Sequence, residues 1–496
     1  MGRGFTEFTK TRIMELMAAP NFSFYWHDYE TFGATPMVDR PVQFAGVRTD
    51  AELNIIGDPL MIFCKPAEDY LPHPEACLIT GITPQQALRE GVPEVEFIAR
   101  IHEELALPGT CGVGYNSLRF DDEVTRYALY RNFFDPYARE WKNGNSRWDL
   151  IDVMRLARAL RPEGIEWPCY EDGRPSLRLE DLSRANGLTH AAAHDALSDV
   201  YATIALAKLL KEAQPKLFAY ALELRDKRVA AQKLDVTRMK PVLHVSSMFP
   251  VERFNSALVA PLAMHPVNKN AVIVYDLSID PTPLLQLSAA EIATRLYTAT
   301  ADLAEGEQRI PLKLVHLNKS PMLAPATMLN KPEAERLSIS GDECRTHLGM
   351  LRAADGLATK VREVFEQSNF EPLTDPDQML YSGGFFGEPD KQAMAKIRDC
   401  DPQRLGELEP VFKDPRLDEM LFRFRARNYP ETLEGEEQLR WAEFCAQRLL
   451  EPGPKLLGFE QLFQRLNELG SDPELAPDKL HILQEVAAYA ESIYPA

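Results

Sequence analysis

Cysteine is scarce and scattered: seven residues, at 64, 77, 111, 169, 344, 400 and 445, with no C-x-x-C pair. Such spacing argues against both a disulfide framework and a zinc site, and suits a reducing compartment. Long apolar runs are missing too. No stretch approaches the roughly eighteen apolar residues of a membrane-spanning helix, so no membrane association is expected. The first twenty residues hold no signal-peptide core, because Glu15 interrupts the apolar run. Gly2 and Thr6 match a myristoylation pattern short enough to occur by chance. The expected location is the cytoplasm. Positive charge is in deficit: 55 lysines and arginines against 74 acids leave a net charge of −19. Taken as a total, that argues against a polyanionic partner.

The distribution says otherwise. Residues 207–275 carry eleven basic side chains against five acidic ones, whereas residues 360–496 carry sixteen against twenty-seven. A basic centre between acidic regions is compatible with a groove for a polyanion. A chain of 496 residues is also too long for one ordinary core, and two or three domains are expected.

The order of patterns suggests where they lie. Aromatic and β-branched runs predict strands over 22–30, 42–50, 54–64 and 110–116, the middle two joined as a hairpin. Helical spacing covers 94–107, 121–134, 176–188 and 194–214, and 147–160 reads as a strand running into a helix. The result is an α/β domain over 1–214 with its core from 22. Short β-rich runs punctuated by proline and asparagine then predict a small β-barrel-like domain over 215–357. Beyond it, 358–496 reads as helical almost throughout.

Candidate chemistry lies in the first domain. In "FSFYWHDYETFG" (22–33) Asp28 and Glu30 stand two apart on a predicted strand and share a face, where two like charges repel unless something relieves them. His27 falls on the other face and reads as structural. Asp121 opens a predicted helix, and Asp199 lies in the last helix, five residues after His194. Four carboxylates from such separate elements could hold two hard cations about 4 Å apart, an arrangement suited to phosphodiester hydrolysis. A nearby histidine could accept a proton from water. Each residue also has a plainer reading. Asp-x-Glu is common on solvated strand faces, and Asp121 could cap its helix.

The ordered combination "DYETFG", "GYNSLRFDDE" and "HDALSD" resembles the DEDDh exonucleases of the ribonuclease H-like superfamily. Further matches, "WHDYETFG", "LITGITPQ", "NSRWDLIDVMR", "MKPVLHVSSMF" and "FRFRARNYP", resemble the bacterial exonuclease I family over nearly the whole chain. The resemblance implies a ribonuclease H-like exonuclease domain, an SH3-like β-barrel domain and an all-α C-terminal domain. It implies a 3′→5′ exonuclease that degrades single-stranded DNA to 5′-mononucleotides in repair and recombination. Asp28, Glu30, Asp121 and Asp199 would hold two Mg²⁺ ions, with Mn²⁺ as a substitute, and His194 would be the general base. By the same alignment Asp121 is the motif residue in "FDDE", and Asp122 is expected to be solvated.

The resemblance further implies that Glu30, Thr31 and Phe32 approach the terminal nucleotide, with Gly33 allowing close backbone approach. Arg126, Tyr137, Trp141, Arg155, Arg161 and Arg178 would contact the strand, arginines on phosphates and aromatics under bases. Tyr220, Lys331 and Arg352 would receive the acidic C-terminal tail of the single-stranded-DNA-binding protein. Lysine at 331 replaces the family's usual arginine and loses bidentate recognition of a carboxylate. A monomer is expected. Two other readings stay open: an exoribonuclease using the same site, and a strand-binding module without chemistry.

Overall fold

The computed structural model describes residues 22–190, 195–366 and 373–495. These fall into two compact units. One is drawn from residues 22–146, 190–204 and 373–495, the other from 147–189 and 205–366.

The first unit is built on strands β1 (Ser23–Thr31), β2 (Pro41–Thr49), β3 (Leu60–Phe63) and β4 (Thr110–Gly114), in spatial order β3-β2-β1-β4. β1 runs antiparallel to β2 and parallel to β4, so it is hydrogen-bonded on both edges. Its aromatic content explains the central place: Phe24, Trp26 and Tyr29 are all buried. Helices Glu94–Ala106 and Asp121–Arg131 supply Phe97, Ile98, Ile101, Val124, Ala128 and Leu129 to the core with Tyr25, Tyr29 and Phe44. The second helix opens with three acids, favourable at the positive end of the helix dipole. The strand expected over 54–64 narrows to β3. Gly57 adopts φ 75°, and Pro59 has no N–H for a ladder.

The late helices belong to the same unit. Phe32, Val42, Leu71 and Cys77 pack with Leu449, Phe459, Leu462, Leu483, Val486 and Ala490. Asp69, fully buried, binds Arg427 at 2.8 Å, and Arg427 also reaches Asp377 at 2.6 Å.

The second unit opens within the short strand β5 (Ser146–Asp149), which runs into helix Leu150–Leu160. Asp149 caps that helix by accepting the Ile151 N–H at 3.3 Å. The unit also holds an antiparallel sheet of β6 (Val242–Val245), β7 (Ser256–Met264), β8 (Ala271–Asp276), β9 (Leu312–His316) and β10 (Met322–Pro325), in order β10-β6-β7-β8-β9. Its core gathers Val242, Ala257, Val259, Val272, Val274, Val315 and Leu323. The final strand is four residues long and ends at a proline, too short to show an alternating pattern in the sequence.

Candidate active site

β1 carries the first two acids. Asp28 pairs with Ala45 and Glu30 with Gln43 across the ladder, and the register shifts immediately after Glu30. The strand's period of two places both carboxylates on one face. Asp199 joins them from the first turn of helix Ala196–Ala213. One ligand oxygen from each of Asp28, Glu30 and Asp199 lies within 4.8 Å of the others. Asp121 is the first residue of its helix, after Phe120 at the N-cap position, and its Oδ1 accepts the backbone N–H of Tyr29 at 3.0 Å. Its carboxylate is thereby fixed next to β1, between the positions of the two strand acids.

The electrostatics follow from this crowding. Burial, then the charges of Asp121, Glu30 and Asp199, raise Asp28 well above the ordinary carboxylate range. Glu30 is pushed up to about 8, by burial first and then by Asp199, Asp121 and Asp195. Buried carboxylates normally have cationic or hydrogen-bonding partners. A set of oxygens this close, each raising its neighbours, fits a hard divalent cation.

Other expectations meet the structure with mixed results. His27 is buried on the far face of β1 and its pKa is lowered to about 4 by burial, so it is neutral and structural. His194 lies outside the described residues. Asp122 is corrected: it is 2% exposed, and Arg139 Nη2 donates to its Oδ1 at 2.5 Å. Both side chains of that pair are buried. Removing one partner strands the other charge, so Asp122→Ala should cost about 3 kcal/mol or more. Chemical denaturation checks this, and a loss under about 1 kcal/mol would contradict the assignment.

Phe32 is also corrected. Its ring is fully buried in the core shared with the late helices, its N–H bonds to Arg40 O, and its carbonyl accepts from His73 N and Tyr70 OH. It has no face left for a nucleotide. Thr31 is largely buried, and its hydroxyl donates to Gly33 O at 2.6 Å. Gly33 makes room for a side chain rather than a ligand, because a Cβ there would come within 2.3 Å of the Asp39 carboxylate. That carboxylate accepts from Thr35 N–H and Tyr70 OH, tying down the turn after β1.

Among the expected strand contacts of this unit, Trp141 is 63% exposed. Tyr137 is half-buried and stands edge-on to Phe385 at 5.6 Å. Arg126 is buried. Its guanidinium donates to Glu140, Glu123 and Tyr381 and lies 5.3 Å from the Tyr137 ring, so it braces the aromatic that the sequence offers for stacking. In the other unit, Arg155 pairs with Asp152 at 2.5 Å, and Arg161 donates to Leu160 O. Arg178 is the N-cap residue of helix Leu179–Ala185 with a largely exposed side chain. Tyr220 donates to Leu323 O at 2.7 Å. Lys331 opens its helix, largely in solvent and 3.9 Å from Glu335, and Arg352 donates to Arg238 O at 2.8 Å.

One residue at the acidic cluster escaped the sequence reading. His190 Nε2 lies 2.5 Å from Asp199 Oδ1. The only trace in the sequence is a second histidine in "HAAAHD", which without structure cannot be ranked against His194.

A buried strand with two acids, a third from a helix start and a fourth from a late helix is the constellation of a metal-dependent exonuclease. A family model described as "Exonuclease" matches residues 25–207. Two more, the exonuclease I SH3-like domain and the exonuclease I C-terminal domain, match residues 225–367 and 374–493. Exodeoxyribonuclease I of Escherichia coli K12 is 49% identical, over 95% of this chain and 98% of its own length. The structure of E. coli exonuclease I in complex with a dA16 oligonucleotide superposes with a TM-score of 0.91 at 48% identity, covering 95% and 100% of the two chains. An SSB/exonuclease I structure solved with an inhibitor gives 0.87 at 47%, covering 95% and 100%. The chain belongs to the exonuclease I family, with its exonuclease, SH3-like and C-terminal helical domains in that order.

Proposed function

We propose that this protein is a 3′→5′ exodeoxyribonuclease that removes 5′-mononucleotides from single-stranded DNA in repair and recombination. The observation that carries the reading is the convergence of Asp28, Glu30 and Asp199 within 4.8 Å beside Asp121. Two Mg²⁺ ions, with Mn²⁺ able to substitute, fit this all-oxygen donor set better than softer metals. When bound, such ions make water a stronger nucleophile and balance the charge on the leaving oxygen.

The protein's part is positional. Asp28 and Glu30 are held by the β2 ladder on one edge, with the Tyr29 N–H between them bonded to Asp121 on the other, so their spacing is set before substrate arrives. Asp121 is oriented by the Tyr29 N–H, and Tyr29 by its hydroxyl's bond to Thr125 Oγ1 at 2.9 Å. Glu30 and Thr31 would face the terminal nucleotide, and His194 would accept the proton of the attacking water. Trp141 and Tyr137 supply flat faces for bases of any sequence, with Arg126 behind the second. Arg155, Arg161 and Arg178 would meet phosphates. Tyr220, Lys331 and Arg352 would receive the acidic tail of SSB. The protein would act as a monomer in the cytoplasm. We set its domain limits near 214 and 357, the second lying ten residues ahead of the end of the SH3-like match at 367.

The deciding assay compares 5′-labelled DNA and RNA oligonucleotides, single- and double-stranded, in Mg²⁺. A ladder shortening from the 3′ end on single-stranded DNA alone is expected. RNA degraded at an equal rate would overturn the substrate assignment, because the 2′-hydroxyl is what separates the two.

A further inference from the structure

We propose that His190 is a positioning residue that fixes the Asp199 carboxylate for cation binding. The proposal rests on the metal reading of the acidic cluster. His190 Nε2 and Asp199 Oδ1 are 2.5 Å apart, with side chains 8% and 18% exposed. With Asp199 ionised, as a cation ligand is, its carboxylate only accepts hydrogen bonds, so in that state Nε2 carries the proton and donates. His190 lies outside the helix that bears Asp199, so the contact reaches that carboxylate from a separate piece of chain.

The need for such a donor comes from the charges. Among the charged neighbours raising Glu30, Asp199 is the strongest, so the two carboxylates repel. The terminal torsion of an aspartate has a broad, soft profile, and a repelled Asp199 could swing its oxygens away at little cost. A directional bond to Oδ1 opposes that swing. It leaves Oδ2 and the remaining lone pairs of Oδ1 available to a cation. Partners of this kind typically contribute ten- to a hundredfold to metal affinity, with no contact to the metal themselves. This separates the two histidines of "HAAAHD": His190 holds a ligand, and nothing in its role requires it to exchange a proton with substrate.

The test is Mn²⁺ binding, followed by paramagnetic resonance of free Mn²⁺ with the full chain and no DNA. His190→Ala should weaken binding about ten- to a hundredfold, and His190→Gln, whose amide can donate to the same oxygen, should recover most of it. Asp199→Asn is the control for the underlying reading and should lose still more. Unchanged affinity in His190→Ala, with Asp199→Asn impaired, would overturn the proposal and leave the metal site standing. Unchanged affinity in Asp199→Asn would instead remove the metal reading itself. Should His190→Ala fail to fold, His190→Gln against His190→Leu makes the same comparison, and equal weakening in both would refute a donor role.

Discussion

Asp28→Ala lowers hydrolysis of a 5′-labelled single strand by at least about a thousandfold, as loss of a residue central to a catalytic unit generally does. Asp28 lies within the cluster, with Asp121, Glu30 and Asp199 all acting on it. Removing it takes one of the three oxygen sets that converge within 4.8 Å out of the site and leaves Glu30, Asp199 and the neighbouring Asp121 without it. The substitution should be tolerated by the fold, because it relieves repulsion in an otherwise intact strand. Strand affinity by fluorescence anisotropy should therefore stay within a few-fold of wild type. Activity within tenfold of wild type in a folded variant would mean that hydrolysis occurs elsewhere.

Glu30→Gln should abolish activity and yet raise the melting temperature of the metal-free protein. With its pKa pushed up to about 8, Glu30 keeps a proton in the folded state that the unfolded chain releases near its ordinary 4.5. Between those values the folded state binds more protons, so its stability falls as pH rises through about 8. Glutamine removes that penalty, on the order of a few kcal/mol for a shift of this size. The gain should be complete above pH 8 and vanish near 4.5. Saturating Mg²⁺ should reverse the order, because only the wild type gains its cation. Equal melting of the two proteins at pH 8 without metal would show that the cluster carries no such strain.

Much of this site was legible in the sequence, for reasons that differ by residue. β1 announced itself through its aromatic, β-prone run, and a strand's period of two put Asp28 and Glu30 on one side without further help. Asp121 and Asp199 had no pattern of their own; the ordered motifs of a family supplied them. The misreadings share a cause. Asp122, Phe32 and Gly33 each answer to a partner distant in the chain or on the far side of a turn: Arg139, the late helices and Asp39. The bonds of Arg126 to Glu140 and Tyr381 were equally invisible from its neighbours. Side-chain pairing across elements is what local pattern cannot encode.

The core around Phe32 carries a consequence for how the molecule comes into being. Phe32 follows the strand that bears two of the active-site acids, and it is seated by Leu462, Val486 and Ala490, more than four hundred residues downstream. A ribosome must deliver nearly the whole chain before that seat exists. The packing at the end of β1 is thus encoded near the start of the chain and finished only when the last helices have been made.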